Sequence, residues 1–192
     1  MTETFLIAGL GNPGRDYREN RHNAGFMLVD RLAVKFDTRF TRLQSKALIA
    51  TSVFHERKVI LAKPQTFMNL SGQAVQGLVR FYKLPLTALL VAHDDVDLPI
   101  GTIRIRPDGG SAGQKGMASI IERLGTDDFA RLRLGIGQPP GQMDTPDYVL
   151  QDFSNVEMAV ISEVLNRAVE AVLVFLTEGL DAAMTRYNGT VP

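Results

Sequence analysis

The residues of this chain best suited to chemistry are a histidine, an aspartate and two asparagines from four separate segments. Residues 9–14, Gly-Leu-Gly-Asn-Pro-Gly, supply Asn12, and the sequence Arg-His-Asn-Ala-Gly that follows supplies His22. Asn69 lies in Phe-Met-Asn-Leu-Ser-Gly, and Asp94 lies in His-Asp-Asp at the end of an apolar run. A titratable imidazole beside fixed amide donors is what an acyl-transfer site requires, and a carboxylate can hold the ring in one tautomer.

Residues 9–14 also match the G-x-G-x-x-G pattern of dinucleotide-binding loops. Such a loop runs straight into a helix whose N-terminus holds the pyrophosphate. Here Asn-Pro-Gly makes a turn, and polar residues follow through Asn20. The ribose-binding acid should end a second strand, but the nearest candidate, Asp30, falls inside a predicted amphipathic helix. The sequence therefore disfavours NAD binding.

The sequence offers no recognisable covalent nucleophile. It contains no cysteine and no G-x-S-x-G elbow. Ser71 is interpreted as a helix cap. Water is therefore the expected nucleophile.

A cluster of acids near residue 95 raises the alternative of a metal site. His93, Asp94, Asp95 and Asp97 carry nitrogen and oxygen donors, but the side chains of consecutive strand residues point to opposite faces. We therefore interpret the cluster as an acidic strand end and turn, and we expect no metal. If Asp94 faces a cleft, His93 should be packed or hydrogen-bonded behind it.

Residues 109–113, Gly-Gly-Ser-Ala-Gly, open a predicted helix and lie near a group of cations. Glycine-rich loops at helix starts bind anions through their amides, although a plain flexible loop fits the sequence equally well. The cations are predicted on the wet faces of two strands or beside the loop: Arg104, Arg106, Lys115, Arg131 and Arg133. Such a cluster either keeps the chain in solution or clamps a phosphate.

The composition is that of an ordinary globular chain, with 45% hydrophobic and 22% charged residues among 192. This length predicts one domain over residues 1–192. There is no long uncharged apolar run and no basic-then-apolar N-terminal segment. We therefore expect a cytoplasmic protein without a membrane span.

The net charge of zero hides an asymmetry between the two ends of the chain. Residues 1–143 contain 19 Lys or Arg and 13 Asp or Glu, whereas residues 144–192 contain 2 and 8. This pattern fits an acidic, solvated C-terminal helix, and it also fits a basic face for a phosphate backbone. Charge alone leaves both interpretations open.

The elements that must position these residues alternate between strands and helices. Apolar runs and alternation predict strands over residues 5–8, 47–54, 58–62, 89–92, 102–106 and 131–136. Helical spacing predicts helices over residues 24–36, 72–82, 116–124 and 155–177, the last capped by Asn155. The pattern predicts a single-domain α/β fold, a three-layer sandwich with a twisted mixed β-sheet flanked by helices. Sites in such folds gather where strands end in loops.

Six motifs that occur together and in order resemble the bacterial-type peptidyl-tRNA hydrolase family over residues 5–153. They are Gly-Leu-Gly-Asn-Pro-Gly followed by Tyr17, Arg-His-Asn-Ala-Gly, Lys-Pro-Gln-Thr-Phe-Met-Asn-Leu-Ser-Gly, Val-Ala-His-Asp-Asp-Val-Asp-Leu-Pro, Gly-Gly-Ser-Ala-Gly and Arg-Leu-Arg-Leu-Gly-Ile-Gly. The resemblance implies hydrolysis of the ester between a peptide and the 3′ ribose of tRNA, which frees the tRNA for translation. It implies that no metal is needed, and that peptidyl-tRNA is the partner through its acceptor stem and 3′ end. We also expect no cofactor, no membrane partner and a monomer, since nothing in the sequence indicates an obligate dimer.

The resemblance also implies roles for the four residues named first. His22 would be the general base that activates water, and Asp94 would hold its ring in the productive tautomer. Asn12 and Asn69 would bind the peptide and the ester carbonyl, with Asn69 near the developing oxyanion.

Further residues are implied to contact the substrate. Tyr17, Asn23 and Met68 would line the cleft, while Arg106 and Arg133 would grip the 5′ phosphate of the tRNA.

The chain departs from the family's common pattern after the glycine loop, where Gln114 and Lys115 replace His-Asn. Lysine donates hydrogen bonds but accepts none. An ammonium near His22 would lower the histidine pKa, whereas contact with the tRNA terminus would make Lys115 a substrate-binding residue. Asp95 stands where glutamate is common, and we expect little effect from that change.

Two other functions remain as alternatives. One is a catalytically weak RNA-binding relative with the same fold, which the loop change allows and the four intact polar residues oppose. The other is an unrelated small-molecule esterase, against which the basic asymmetry argues.

Overall fold

The computed structural model describes residues 2–192, and strands and helices alternate along this part of the chain. Its strands are β1 (Thr4–Gly9), β2 (Arg42–Gln44), β3 (Ala47–Phe54), β4 (Arg57–Pro64), β5 (Leu89–Asp95), β6 (Thr102–Arg106), β7 (Ala130–Gly135) and β8 (Gly189–Thr190). Its helices are α1 (Ala24–Lys35), α2 (Ser71–Phe81), α3 (Lys115–Leu124), α4 (Thr145–Val149), α5 (Asn155–Glu178) and α6 (Leu180–Tyr187).

The strands form one mixed sheet in the order β2-β3-β4-β1-β5-β7-β6-β8. β1 pairs in parallel with β4 and β5, and β5 pairs in parallel with β7. The hairpin of β3 and β4 and the pairs of β6 with β7 and β8 are antiparallel. The predicted hairpin and the mixed α/β sheet are thus confirmed.

Helices cover both faces of the sheet, so that the fold has three layers. Alternate residues of β1 enter two different cores. Phe5 and Ile7 pack in the core with α1 and α5, and Leu6 and Ala8 pack in the core with α2 and α3. Because β1 and β5 are covered on both sides, their sequences are nearly continuous apolar runs rather than alternating ones.

Two predicted helix caps are wrong. The N-cap of α5 is Ser154, whose Oγ accepts from the Glu157 N–H at 3.2 Å while its own N–H donates to Glu157 Oε2 at 2.7 Å. Ser71 does not cap α2, because a 3₁₀ turn over Met68–Leu70 runs straight into the helix and makes Ser71 its first residue. The Ser71 Oγ instead donates to the Met68 carbonyl at 2.7 Å.

The start of α1 lies unusually close to the ends of β1 and β5. A Cβ on Gly25 would lie 2.4 Å from the Ala92 carbonyl oxygen, and one on Gly9 would lie 2.1 Å from the Gly25 carbonyl oxygen. Both distances are shorter than any tolerated contact, so only glycine fits at these positions. This close approach brings the turn before α1, which carries His22, over the end of β5.

Candidate active site

A cavity of about 310 Å³ opens at the carboxyl ends of β1 and β5. Its polar lining includes Asn12, His22, Asn69, Asp94 and Lys115, and its apolar lining includes Met68, Phe67, Val149 and Leu150. The four residues with predicted catalytic roles therefore share one cavity. Parallel strands that end at the same sheet edge explain why segments far apart in sequence meet there.

His22 and Asp94 form a buried pair at this cavity. His22 Nδ1 lies 2.8 Å from Asp94 Oδ2, and the residues are 9% and 2% exposed. An ionised carboxylate can only accept, so the shared proton belongs to Nδ1. The other ring nitrogen, Nε2, then keeps its lone pair and can take a proton.

Arg21 anchors the turn that carries His22. Its Nη2 donates to Glu157 Oε2 at 2.9 Å, its Nη1 donates to the Tyr148 carbonyl at 3.3 Å, and its guanidinium lies 4.2 Å from the centre of the Tyr148 ring. These contacts join the 3₁₀ turn Arg21–Asn23 to α4 and α5. The histidine is therefore held from behind by the C-terminal part of the chain.

Glu157, the partner of Arg21, has an altered acidity. Burial alone would raise the pKa of this carboxyl, but hydrogen bonds from the Ser154 N–H and from Arg21 outweigh burial and lower the pKa below its ordinary value. The carboxylate therefore remains charged under mildly acidic conditions.

Asn12 lines the cavity with its side-chain oxygen held by a hydrogen bond from the protein. Asn23 accepts from the Asn12 N–H at 2.8 Å and donates through Nδ2 to the Asn12 carbonyl at 2.9 Å. The Met68 N–H donates to Asn12 Oδ1 at 2.8 Å. Because a backbone N–H can only donate, this contact identifies Oδ1, and the NH₂ group makes no hydrogen bond to any residue in the range 2–192.

The two predicted carbonyl-binding asparagines differ in how they are held. Asn69 lies in the 3₁₀ turn Met68–Leu70, and its side chain is exposed at the cavity. Within the described chain it has no hydrogen-bond partner. Asn69 is therefore free to turn toward a ligand, whereas Asn12 is already oriented.

Other residues with predicted substrate contacts occupy different positions. Met68 is buried in the cavity wall, and Lys115 is exposed at its edge, at the start of α3. Tyr17 is half-buried on the 3₁₀ turn Arg15–Tyr17, outside the cavity lining. Asn23 also lies outside this lining and contacts the site through Asn12.

Gln114 is a buried polar residue of the site whose role sequence reasoning left open. Its Oε1 accepts from the Met117 N–H at 2.7 Å and caps α3. Its Nε2 lies 3.0 Å from Asp94 Oδ1 and 3.2 Å from Met68 Sδ. A polar amide just before a predicted helix was the available signal, because that position favours capping residues.

A second, basic cavity of about 280 Å³ lies beside the first, and Ala112 lines both. Its lining includes Arg106, which is exposed, and Arg133. Arg133 Nε donates to the buried Asp95 Oδ2 at 2.6 Å. Its terminal nitrogens make no hydrogen bond within residues 2–192, and they remain available for an anion.

Arg131 does not lie on a wet face as its place in the alternating pattern predicts. It is 2% exposed and donates to the backbone carbonyls of Gly109, Gly110, Asp127 and Phe129. Burial lowers the pKa of its guanidinium. Arg131 thus holds the glycine-rich loop in place through hydrogen bonds from a buried side chain.

His93 lies behind Asp94, as predicted. It is buried, and its Nδ1 lies 2.8 Å from the backbone carbonyl of Asp94, which can only accept. Burial lowers the pKa of the His93 ring. The ring is therefore neutral with its proton on Nδ1 at neutral pH.

Within residues 2–192, none of the helices combines the length and the apolar composition that crossing a membrane requires.

The peptidyl-tRNA hydrolase family model matches residues 6–192. A peptidyl-tRNA hydrolase of Carboxydothermus hydrogenoformans is 51% identical over 184 residues, which cover 96% of this chain and 98% of that protein. The chloroplastic peptidyl-tRNA hydrolase of Arabidopsis thaliana is 47% identical over 96% of this chain and 64% of its own length. These similarities extend over nearly the whole chain, including the C-terminal helices.

Solved structures show the same similarity in three dimensions. The crystal structure of peptidyl-tRNA hydrolase from Acinetobacter baumannii superposes with a TM-score of 0.92 at 32% identity, covering 99% of this chain and 97% of that chain. This chain and the Acinetobacter protein therefore share the same fold.

Proposed function

This chain belongs to the peptidyl-tRNA hydrolase family, and we propose that His22, Asp94, Asn12 and Asn69 carry out its hydrolysis of the ester between peptide and tRNA. The products are the peptide and free tRNA, which returns to translation. The observation that carries the assignment of residues is the 2.8 Å contact of His22 Nδ1 with Asp94 Oδ2 in a cavity that also contains both asparagines.

The proposed first step is the attack of water on the ester carbonyl. His22 Nε2 takes a proton from water as the water oxygen bonds to the carbonyl carbon, and Asp94 stabilises the imidazolium that forms. The carbonyl oxygen becomes an oxyanion. When the tetrahedral intermediate collapses, the bond to the ribose 3′ oxygen breaks and the imidazolium returns its proton to that oxygen.

Amide donors stabilise the oxyanion in this proposal. The NH₂ group of Asn12 is oriented before substrate arrives, because its oxygen already accepts from Met68. Asn69, exposed and unengaged within the described residues, turns onto the developing oxyanion. One such donor contributes about 10²–10³-fold to the rate of acyl transfer.

The basic cavity is proposed to bind the 5′ phosphate at the acceptor end of the tRNA. Arg133 is oriented by Asp95 through Nε, which leaves its terminal nitrogens for a phosphate. Arg106 lines the same cavity. We propose that Lys115 contacts the 3′ end of the tRNA, because it is exposed and lines the first cavity. Tyr17 is proposed as a substrate contact on its sequence motif alone.

The proposal includes one domain over residues 1–192 that acts as a monomer. We propose the cytoplasm as its compartment, because translation there generates the substrate, peptidyl-tRNA. No metal or cofactor is assigned a role, since a general base, an orienting carboxylate and amide donors together supply what the attack of water needs.

The test compares hydrolysis of N-acetyl-aminoacyl-tRNA with that of the same tRNA carrying a free amino acid. Wild type and His22→Ala are measured in the presence of EDTA. We expect rapid release from the blocked substrate alone, and we expect the substitution to abolish it. Loss of wild-type activity in EDTA would overturn the metal-free mechanism. Binding of tRNA without turnover would favour the RNA-binding alternative.

A further inference from the structure

Gln114 connects parts of the molecule that the proposed mechanism treats separately. It is 7% exposed and stands at the end of the glycine-rich loop, as the N-cap of α3. Its amide contacts the Asp94 carboxylate on one side and the Met68 sulfur on the other. No step assigned so far uses these contacts.

The orientation of the Gln114 amide is determined by its partners. Met117 contributes a backbone N–H, which can only donate, so the atom 2.7 Å from it must be the amide oxygen. The NH₂ group therefore faces Asp94 Oδ1 at 3.0 Å and Met68 Sδ at 3.2 Å. Both of these atoms accept, and the group has two hydrogens to donate.

The Asp94 carboxylate is consequently held at both oxygens. His22 Nδ1 contacts Oδ2 and Gln114 Nε2 contacts Oδ1. With both oxygens engaged, the carboxylate cannot turn about its Cβ–Cγ bond without breaking a hydrogen bond in a buried environment, where an unpaired charge is costly. The plane of the carboxylate, and with it the His22 ring, is fixed.

The contact with Met68 extends this arrangement to the other half of the site. The backbone N–H of Met68 orients Asn12 through Oδ1 at 2.8 Å. Gln114 thus lies between the general-base pair and the residue whose backbone sets the direction of a carbonyl-binding amide.

We propose that Gln114 is a positioning residue for the hydrolysis, which fixes the Asp94 carboxylate against His22 while it caps α3. The proposal rests on the proposed roles of His22 and Asp94. It gives a function to Gln114, which stands where the family commonly has histidine. Gln114 acts through Asp94, because the oxygen and the NH₂ group of its amide are both engaged by partners within the protein.

The decisive variant is Gln114→Glu, which separates positioning from capping. Glutamate has nearly the same shape and still accepts from the Met117 N–H, and its negative charge suits a helix N-terminus. It loses the donor to Asp94 Oδ1 and places a second carboxylate there. We expect a kcat lowered about 10- to 100-fold, because small misplacements of catalytic groups cost this much. We also expect a less stable fold, because two carboxylates then lie side by side in a buried environment, so kcat is expressed per mole of folded enzyme.

The pH profile gives a second readout that a merely structural role would not change. The titratable groups that line the cavity around His22 are Asp94, Asp95 and Lys115. An added carboxylate beside Asp94 favours the protonated imidazole, so the acid limb of kcat/KM should move to higher pH in Gln114→Glu. KM should change little, because the polar atoms of the Gln114 side chain already have partners in Met117, Asp94 and Met68.

Gln73→Glu is the matched control on α2. Gln73 Oε1 accepts from Lys46 Nζ at 2.8 Å in an exposed contact that the substitution retains. This variant carries the same change of charge, and its kcat and pH profile should equal those of wild type.

A double-mutant cycle tests the route of action. In the Asp94→Asn background, Gln114→Glu should cause little further loss of kcat, because the group through which Gln114 acts is already altered. Multiplicative losses would overturn the proposal, as would a wild-type kcat and pH profile for Gln114→Glu alone. His22→Ala is measured alongside: activity that survives it contradicts the proposed function, whereas its loss beside an unaffected Gln114→Glu contradicts only the role of Gln114.

Discussion

The two cavities at the edge of the sheet differ in how firmly their functional side chains are held. In the first, His22, Asp94, Asn12 and Gln114 are all buried, and each has at least one hydrogen bond that sets its direction. In the second, Arg106 is exposed and makes no side-chain hydrogen bond within residues 2–192, and Arg133 is held through Nε alone. General-base chemistry depends on the direction of a lone pair, whereas attraction of a phosphate depends mainly on charge.

Neighbouring residues of one strand serve both cavities. Asp94 and Asp95 are consecutive in β5, so their side chains leave opposite faces of the sheet. Asp94 contacts His22 at 2.8 Å and Asp95 contacts Arg133 at 2.6 Å. If each carboxylate orients one functional group, substitution of His22 or Asp94 should affect kcat, and substitution of Asp95 or Arg133 should affect KM.

The largest effect is expected from His22→Ala. Removal of the proposed general base should lower kcat about 10²–10⁴-fold and leave KM and tRNA binding nearly unchanged. Steady-state kinetics on N-acetyl-aminoacyl-tRNA measure both constants. His55→Ala, in the exposed turn between β3 and β4, is the matched control and should behave as wild type. An unchanged kcat for His22→Ala would remove the distinction between the cavities.

Arg133→Ala should weaken phosphate binding at the second cavity and leave the groups of the first cavity in place. We expect KM to rise about tenfold and kcat to fall less, because the phosphate that Arg133 is proposed to bind is remote from the reacting ester. The slope of log binding constant against log salt concentration should fall by about one.

Asp95→Asn gives a graded version of the same test, since it keeps Arg133 but weakens its orientation. Its rise in KM should be smaller than that of Arg133→Ala. An effect of either substitution on kcat alone would contradict the assignment of a phosphate to this cavity.

Glu157→Gln tests how much the contact between Glu157 and Arg21, next to His22, stabilises the fold. The pKa of Glu157 is lowered below 4.5 in the folded chain, so its contribution to stability is present above the unfolded pKa and is lost as pH falls through the folded pKa. The variant should be about 1–2 kcal/mol less stable at neutral pH, because it weakens both a capping box and a charged hydrogen bond.

Thermal or urea unfolding of wild type and Glu157→Gln at successively lower pH provides the measurement. The two curves of stability against pH should converge on the acid side. A constant difference at every pH would show that the charge of Glu157 does not contribute.

The smallest effect is expected from Lys115→Ala. Lys115 is exposed, and it makes no hydrogen bond or ion pair within residues 2–192. Truncation should raise KM about two- to threefold and leave kcat unchanged, in line with the small contribution of single exposed charges. Steady-state kinetics on the same substrate measure both constants. A fall in kcat comparable with that of His22→Ala would show that Lys115 takes part in the chemical step.

Where sequence reasoning failed, local pattern and tertiary packing disagreed. Arg131 alternates with leucines, so the pattern predicts it on a solvent-exposed face. In the structure the glycine-rich loop covers it, and this loop and the segment before β7 each supply two carbonyl acceptors. Ser71 has the composition of a cap, but the 3₁₀ turn before it moves the helix start. Alternation reports which residues share a face, and it does not report what covers that face.

The sequence by itself determined the α/β class and the order of six of the eight strands and four of the six helices that residues 2–192 form. It also singled out His22, Asp94, Asn12 and Asn69 as candidate groups for chemistry. Local periodicity and residue type carry that information. Only the tertiary structure decided that Asn23 orients Asn12, that Arg21 anchors the His22 turn on α5, and that Gln114 contacts Asp94. These contacts join residues 11, 136 and 20 positions apart, and such separations leave no periodic trace in a single sequence, because they depend on how the helices pack on the sheet.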